Sequence, residues 1–286
     1  MRDIRRRIKS VQNTQQITRA MKMVAAAKLR RAQGAAEAAR PYTRALREMV
    51  ARLASRNRGF DHPLLHEAHA AKRVGYLVIT ADRGLCGAYN ANLLRRAVLE
   101  LAREEREVVV VAVGRKARDF FVRRRYRLLA QFIRLGDDPR YELAQSITAE
   151  VERLFAAGEF AELKLVYTRF VSAMQHKVEV VHLLPLYGGE LEGTQGGQNW
   201  DYIYEPTART VLAPLLERYV ADAIFGALLE AKASEQGARM VAMDSASKNS
   251  DKLIKRLTLR RNKARQAAIT KELAELVGGA EALAEG

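Results

Sequence analysis

At 286 residues, with 48% apolar content and one cysteine, the chain can bury a core of its own but cannot form an internal disulfide or a multi-cysteine metal site. No apolar run is long enough to span a bilayer, and the start Met1-Arg2-Asp3-Ile4-Arg5-Arg6-Arg7 lacks the apolar stretch of a secretory signal, so a protein working inside the cell is expected. The net charge of +16 sits at the ends: residues 1–58 hold sixteen Lys/Arg against three Asp/Glu, residues 59–205 balance, and residues 206–286 carry a further +3. That asymmetry points to an acidic partner, whether nucleic acid, an anionic membrane face or acidic protein loops.

In chain order, Ile4, Ile8, Val11, Gln15, Thr18, Met21, Ala25, Leu29 and Ala32 recur every three or four residues. This is the seam of a helix that packs lengthwise on another, here with two polar interruptions, and it predicts helix to about Arg56, with a bend possible at Pro41. The stretch Arg58-Gly59-Phe60-Asp61-His62-Pro63 breaks it. Val74–Thr80 reads as a buried strand, followed by a glycine-rich turn and a helix over Asn90–Glu105. A strand over Val108–Val113, helices near Lys116–Arg124 and over Tyr141–Ala157, and strands over Leu163–Phe170 and Val178–Leu184 complete a βαβ alternation with a mostly parallel sheet. Gly188–Gln198 reads as a loop. After Tyr204-Glu205-Pro206 a second long helix is expected, regular from near Pro214 and ended by Gly278-Gly279. Its seam is Ala223, Ala227, Ala231, Ser234, Ala238, Val241 and Ser245, small residues that let backbones approach closely, followed by Leu253, Leu257, Ile269, Leu273 and Leu276.

Three segments follow: an N-terminal coiled-coil helix (1–58), a Rossmann-like α/β base domain (59–205) and a C-terminal coiled-coil helix (206–286). Helices of such length would extend roughly 80 and 100 Å at about 1.5 Å per residue. A domain of about 130 residues has a radius of gyration near ~14 Å and cannot cover them. The expected fold is therefore α/β with long helices, in which both termini form an antiparallel two-helix coiled coil projecting from the Rossmann-like domain.

Catalytic motifs are weak by comparison. Asp82-Arg83-Gly84-Leu85-Cys86-Gly87-Ala88-Tyr89-Asn90 joins a strand to a helix but has neither the Gly-Lys-Ser/Thr of a phosphate loop nor dinucleotide glycine spacing, so it reads as a tight turn with Asn90 capping the helix. Gly114-Arg115-Lys116 fails the same test. Cys86 has no histidine in a catalytic frame and reads as packing. His62, His66 and His69 have helical spacing but fall in a segment read as a linker, so no metal site, catalytic residue or cofactor is assigned. The run Lys248, Lys252, Lys255, Arg256, Arg260, Arg261, Lys263 and Arg265 contains a single acid, Asp251. Like charges this dense repel one another, which favours a negative environment around them; a phosphate backbone would serve equally on this ground alone. Met21, Met23, Val24, Ile269, Leu273, Leu276 and Val277 are expected near the rod tip, and they cannot all face one seam, so part of this apolar surface should need a socket.

Both ends of the chain resemble the gamma subunits of F-type ATP synthases. The residues that carry the likeness are 8–25 (Ile8-Lys9-Ser10-Val11-Gln12-Asn13-Thr14-Gln15-Gln16-Ile17-Thr18-Arg19-Ala20-Met21-Lys22-Met23-Val24-Ala25), 234–243 (from Ser234-Glu235-Gln236-Gly237 to Met243) and 262–273 (from Asn262-Lys263-Ala264-Arg265 to Leu273). The turn Asp82–Gly87 and Tyr204-Glu205-Pro206 match as well. The resemblance implies a central rotor shaft without an active site or cofactor. It would thread a ring of three alpha and three beta subunits and join an epsilon subunit and a c ring, meeting the membrane only through that ring at its cytoplasmic face, with no nucleic acid bound. It further implies that Met21, Arg239, Gln266, Thr270 and Glu272, with Met23 beside them, meet alpha and beta. Lys252, Lys255, Arg256, Arg260 and Arg261 would form a basic collar, and Tyr202, Tyr204 and Glu205 part of a foot toward epsilon and the c ring. The paired-cysteine regulatory insert of plant-type members is absent, so thiol control is not expected.

Overall fold

The structure, a computed structural model, describes residues 2–56, 62–65, 72–186 and 207–284. The elements in chain order are α1 (Arg2–Arg56), a 3-10 turn at Pro63–Leu65, β1 (Arg73–Ile79), α2 (Tyr89–Arg103), β2 (Glu107–Val113), α3 (Arg115–Arg123), β3 (Arg127–Phe132), α4 (Tyr141–Ala156), β4 (Glu162–Phe170), β5 (His176–Leu184) and α5 (Ala208–Ala284). They fall into two compact units, one of residues 25–239 and one of residues 1–24 with 240–286; α1 and α5 contribute to both.

In the larger unit a five-stranded sheet has the order β3-β2-β1-β4-β5. β1, β2, β3 and β4 run parallel, and β5 returns antiparallel to β4. Nearly every residue of β1 and β2 is buried, because helices cover both faces of these inner strands. The period of two assigns each side chain to a face. Val74, Tyr76, Val78, Val110 and Ala112 pack on Leu93, Ala97 and Leu101 of α2 and on Ala117 and Phe121 of α3. Leu77, Ile79, Val109, Val111 and Leu165 pack on Ile147 and Val151 of α4, Leu46 and Val50 of α1, and Leu212, Leu216, Val220 and Ile224 of α5.

The smaller unit is a two-helix coil. Lys22 binds Asp244 at 2.6 Å, Arg19 reaches the Ser247 hydroxyl at 3.4 Å, and the Gln15 amide donates to Asp251, so numbers fall on α5 as they rise on α1. The pairing is antiparallel, as the sequence led us to expect. Of the α1 seam residues expected in this unit, Ile8, Gln15 and Thr18 are buried and Ile4, Val11 and Met21 partly so.

Four local expectations need correction. β3 was not foreseen in the sequence. It is a short edge strand that opens on Arg127 and has no fully buried residue, so its apolar signal is faint. Asn90 does not cap α2. Ala88 holds that position, while the Asn90 side chain accepts from the Ala81 amide at 3.1 Å and donates to the Cys86 sulfur at 3.1 Å. Ser245 is exposed, and the coil seam on α5 runs instead through Met243, Ser247 and Ser250. Finally α5 begins at Ala208, before Pro214, and continues through Gly278 and Gly279 to Ala284.

Candidate functional site

A parallel sheet whose strand order reverses opens a crevice at the carboxyl ends of its strands, which is where ligands sit in this class of fold. Here the order reverses between β1 and β4, since β2 and β3 add on one side of β1 and β4 on the other. The chain fills that crevice with its own helix α5. The buried Tyr89 hydroxyl, at the start of α2, donates to the Ala231 carbonyl at 3.1 Å, and burial raises its pKa well above the usual phenol range. Ser234, fully buried, donates from its hydroxyl to the Thr168 carbonyl at the end of β4, at 3.1 Å. Gly237 passes so close to the β4–β5 hairpin that a Cβ there would lie 3.1 Å from the His176 ring and 3.4 Å from Ala173. Ala238 packs against Ala81, Cys86 and Tyr89. The small residues read as a helix–helix seam thus let α5 approach the sheet.

A chain of charges closes the crevice from the side. Lys232 donates to the Gly136 carbonyl at 2.9 Å and pairs with Glu235 at 3.3 Å. Glu235 pairs with Arg239 at 2.7 Å, and Arg239 donates to the Gly84 carbonyl of the turn after β1 at 3.1 Å. The side chains of Lys232 and Arg239 are each only 11% exposed. Asp137 joins from the loop before α4, with Lys28 of α1 at 2.7 Å and Lys232 at 3.8 Å; the hydrogen bond from Lys28 outweighs burial and lowers its pKa.

The amides at the start of α3, an anion site in nucleotide-binding relatives of this fold, are taken up internally. The Arg115 amide donates to Asp82 at 2.9 Å, Lys116 to the Ala81 carbonyl at 3.2 Å and Ala117 to the Thr80 hydroxyl at 2.8 Å. Gly114 has a φ of +92°, and an added Cβ would lie 2.3 Å from the Thr80 carbonyl oxygen, so no side chain fits at this turn. Cys86 is buried, which raises its thiol pKa. Among the described residues there is no cluster able to hold a metal ion and no helix long and apolar enough to cross a membrane.

The residues singled out in the sequence fall into separate places. Met21, partly buried, and Met23, 67% exposed, lie on α1 next to the Lys22–Asp244 pair. Gln266, Thr270 and Glu272 lie exposed on α5 more than twenty residues past Asp244, about 30 Å farther along the helix. The expectation of one apolar tip is therefore replaced by two groups. Lys252, Lys255, Arg256 and Arg260 are exposed and Arg261 is partly buried, and among the described residues the four exposed ones have no ion-pair partner. From Arg265 to Val277 every side chain is exposed, including Ile269 (49%), Leu273 (56%), Leu276 (70%) and Val277 (58%). Arg239 falls in the other unit, in the crevice. Tyr202, Tyr204 and Glu205, with His66, His69 and the loop Gly188–Gln198, lie outside the described residues. Sequence reasoning missed Lys232, Tyr89 and Thr168, whose bonds join residues far apart in the chain, and Glu235, whose i,i+3 and i,i+4 pairs with Lys232 and Arg239 were legible in the spacing.

A family model described as ATP synthase matches residues 1–283. An ATP synthase gamma chain of Desulforamulus reducens is 53% identical over 282 residues, covering 99% of this chain and 98% of the relative. Among solved structures, a central stalk and c-ring chain of the Tetrahymena thermophila mitochondrial ATP synthase is 25% identical with a TM-score of 0.60, covering 81% of this chain and all but 1% of its own. A chain of the Euglena gracilis mitochondrial ATP synthase shares the fold at 21% identity, with a TM-score of 0.69 and coverage of 99% and 94%. The chain belongs to the ATP synthase family. Within that family its place is the gamma subunit of the central stalk, part of a membrane-associated complex that makes ATP.

Proposed function

We propose that the chain is a rotor shaft that carries no active site and couples proton-driven turning of a c ring to ATP synthesis or hydrolysis on alpha and beta subunits. The reading rests on the antiparallel pairing of the two terminal helices, which carries outward apolar side chains and cations that have no ion-pair partner among the described residues. A turning asymmetric coil presents a different face to each beta subunit in succession, and differential contact shifts that subunit among its nucleotide-binding conformers. Exposed ion pairs of roughly 0–1 kcal/mol each suit this, since many weak contacts guide a rotor without locking it.

In this reading Lys252, Lys255, Arg256, Arg260 and Arg261 form a collar facing acidic partner loops. Met21 and Met23 meet alpha and beta at one level and Gln266, Thr270 and Glu272 at another. Arg239, turned inward onto Glu235, serves these contacts by bracing α5. Tyr202, Tyr204 and Glu205 belong to a foot toward epsilon and the c ring, at the cytoplasmic face of the membrane. The segment 59–205 and the parts of 1–58 and 206–286 grouped with it act as base, and residues 1–24 and 240–286 act as coil.

Co-purification tests the proposal. Mixed with alpha and beta chains, the protein should enter a complex at one copy per three pairs, with ATPase activity absent from the chain alone. Hydrolysis of ATP by the isolated chain, or failure to join alpha and beta, would overturn it.

A further inference from the structure

A rotor must pass torque from its α/β domain to its helices at some definite set of contacts, and the two helices are fastened to the sheet in different ways. Among the described residues, the contacts of α1 with it include Leu46 and Val50, and Lys28–Asp137 and Arg31–Asp138. Apolar contact is non-directional and tolerates turning. Of the two ion pairs, Arg31–Asp138 is largely open to water, at 73% and 61% exposed, and Lys28–Asp137 is partly so, at 31% and 53%, so they hold less firmly than buried bonds. α5 is held by directional bonds, two of them buried, Tyr89 to the Ala231 carbonyl and Ser234 to the Thr168 carbonyl, and two nearer the surface, Lys232 to the Gly136 carbonyl and Arg239 to the Gly84 carbonyl. Gly237 against Ala173 and His176 adds a steric stop. These bonds come from four places: the start of α2, the end of β4, the turn after β1 and the turn after β3. Turning α5 about its own axis would break them together.

Taking the rotor reading above as its premise, we propose that the crevice between β1 and β4 is the torque grip of the rotor. Rotation of the α/β domain is transmitted to α5 there, and α1 follows as the coil partner of α5. The residues of the grip position the shaft and touch no substrate. Because a ligand crevice of this fold is occupied by the chain's own helix, the grip also accounts for a nucleotide-type topology serving a mechanical part.

The test uses the whole complex in inverted membrane vesicles, comparing ATP-driven acidification with ATP hydrolysis in the same sample. Tyr89→Phe with Ser234→Ala removes two grip bonds and no charge. It should lower the ratio of protons pumped to ATP hydrolysed at least threefold, with hydrolysis and subunit stoichiometry kept. Arg31→Ala, which breaks only the exposed pair with Asp138, should leave the ratio within about a fifth of wild type. A ratio unchanged in the first variant, or lowered equally in the second, overturns the grip. Should the first pair fail to assemble, Tyr89→Phe alone carries the test, and an unchanged ratio there overturns the proposal too. Wild-type vesicles that hydrolyse ATP without acidifying would sink the rotor reading itself; a coupled wild type beside a coupled double variant sinks only the grip.

Discussion

Replacing Glu235 by Gln isolates the energetics of the charged chain on α5. Glu235 is 7% exposed and stands between Lys232, at 3.3 Å, and Arg239, at 2.7 Å. Gln keeps the length and an acceptor oxygen but withdraws the one charge that both cations share closely. Stripping the partner from a buried ion pair typically costs about 3–5 kcal/mol. Lys232 retains the Gly136 carbonyl and a distant Asp137, and Arg239 retains the Gly84 carbonyl. That relief brings the expected loss to about 2–3 kcal/mol, or a fall in midpoint of about 4–9 °C for a chain of this size. Thermal melts followed by circular dichroism measure it. Arg239→Gln and the double variant complete a cycle in which the double should cost at least about 1 kcal/mol less than the sum of the singles, since the second change no longer strands a charge. A loss below about 0.5 kcal/mol, or strict additivity, would show that the three groups are solvated independently and that the chain of charges is not a unit.

Burial first, and then the Glu217 carboxylate, push Glu152 up to about 7. Its folded value lies above the unfolded one, so its contribution is whole below about pH 4 and lost as pH rises through 7, by about 1 kcal/mol after discounting for solvent in the cleft; melts from pH 4 to 8 should show this loss and Glu152→Gln should lack it. Hydrogen bonds from Lys22 and Lys248 hold Asp244 down at about 2, so what it adds to the coil is present above the ordinary carboxylate range and lost as pH falls toward 2. Pepsin cleavage within residues 2–24 should accelerate over that window in the wild type, and Asp244→Asn should be cleaved at the faster rate throughout. Leu273→Ser with Leu276→Ser removes two exposed side chains, so the isolated chain should melt within about 0.5 kcal/mol of wild type while its affinity for alpha and beta subunits drops at least about tenfold; an unchanged affinity would leave that surface without a role. Gly114→Ala places a Cβ 2.3 Å from the Thr80 carbonyl at a φ of +92° and should cost about 2–4 kcal/mol in a urea titration, with a cost under about 1 kcal/mol refuting the close packing.

The sequence was most legible where the signal is periodic and local. The residues from Ile8 to Ala32 that recur every three or four are all buried or partly buried on α1, and the unbroken apolar run of β1 is a strand covered on both faces. It was less legible where two readings share one pattern. Ala227, Ala231 and Ser234 have the spacing of a helix–helix seam, yet Ser234 bonds to a strand, because a stripe of small residues fits any backbone that comes close. The register slipped by about half a turn between Ala238 and Ser245, where α5 exchanges the sheet for α1 as its neighbour and the buried face rotates to Met243 and Ser247. β3 escaped because an edge strand needs little apolar content, and the arginines around it dominate its composition. Arg239 was found by motif match, but nothing in the local sequence says whether an arginine points to solvent or to a glutamate one turn away.

The same backbone topology that forms a nucleotide pocket in other proteins here holds a helix, and the difference lies in a few side chains. Thr80, Ala81 and Asp82 accept the amides at the start of α3, and Tyr89 and Thr168 bind α5 where a ligand would otherwise enter. A ligand crevice opens and closes with its occupant, whereas an intramolecular one is bound at very high effective concentration and stays closed. For a part that must turn as one piece, permanent closure is the useful property. The charge distribution follows the same division of labour: Glu159, Glu162 and Glu235 of the large unit pair internally with its cations, whereas the cations on the coil, from Lys252 to Arg260, are left without internal partners among the described residues. Charges neutralised within the body hold it rigid, and those left free on the coil are the ones a surrounding acidic partner can attract in turn.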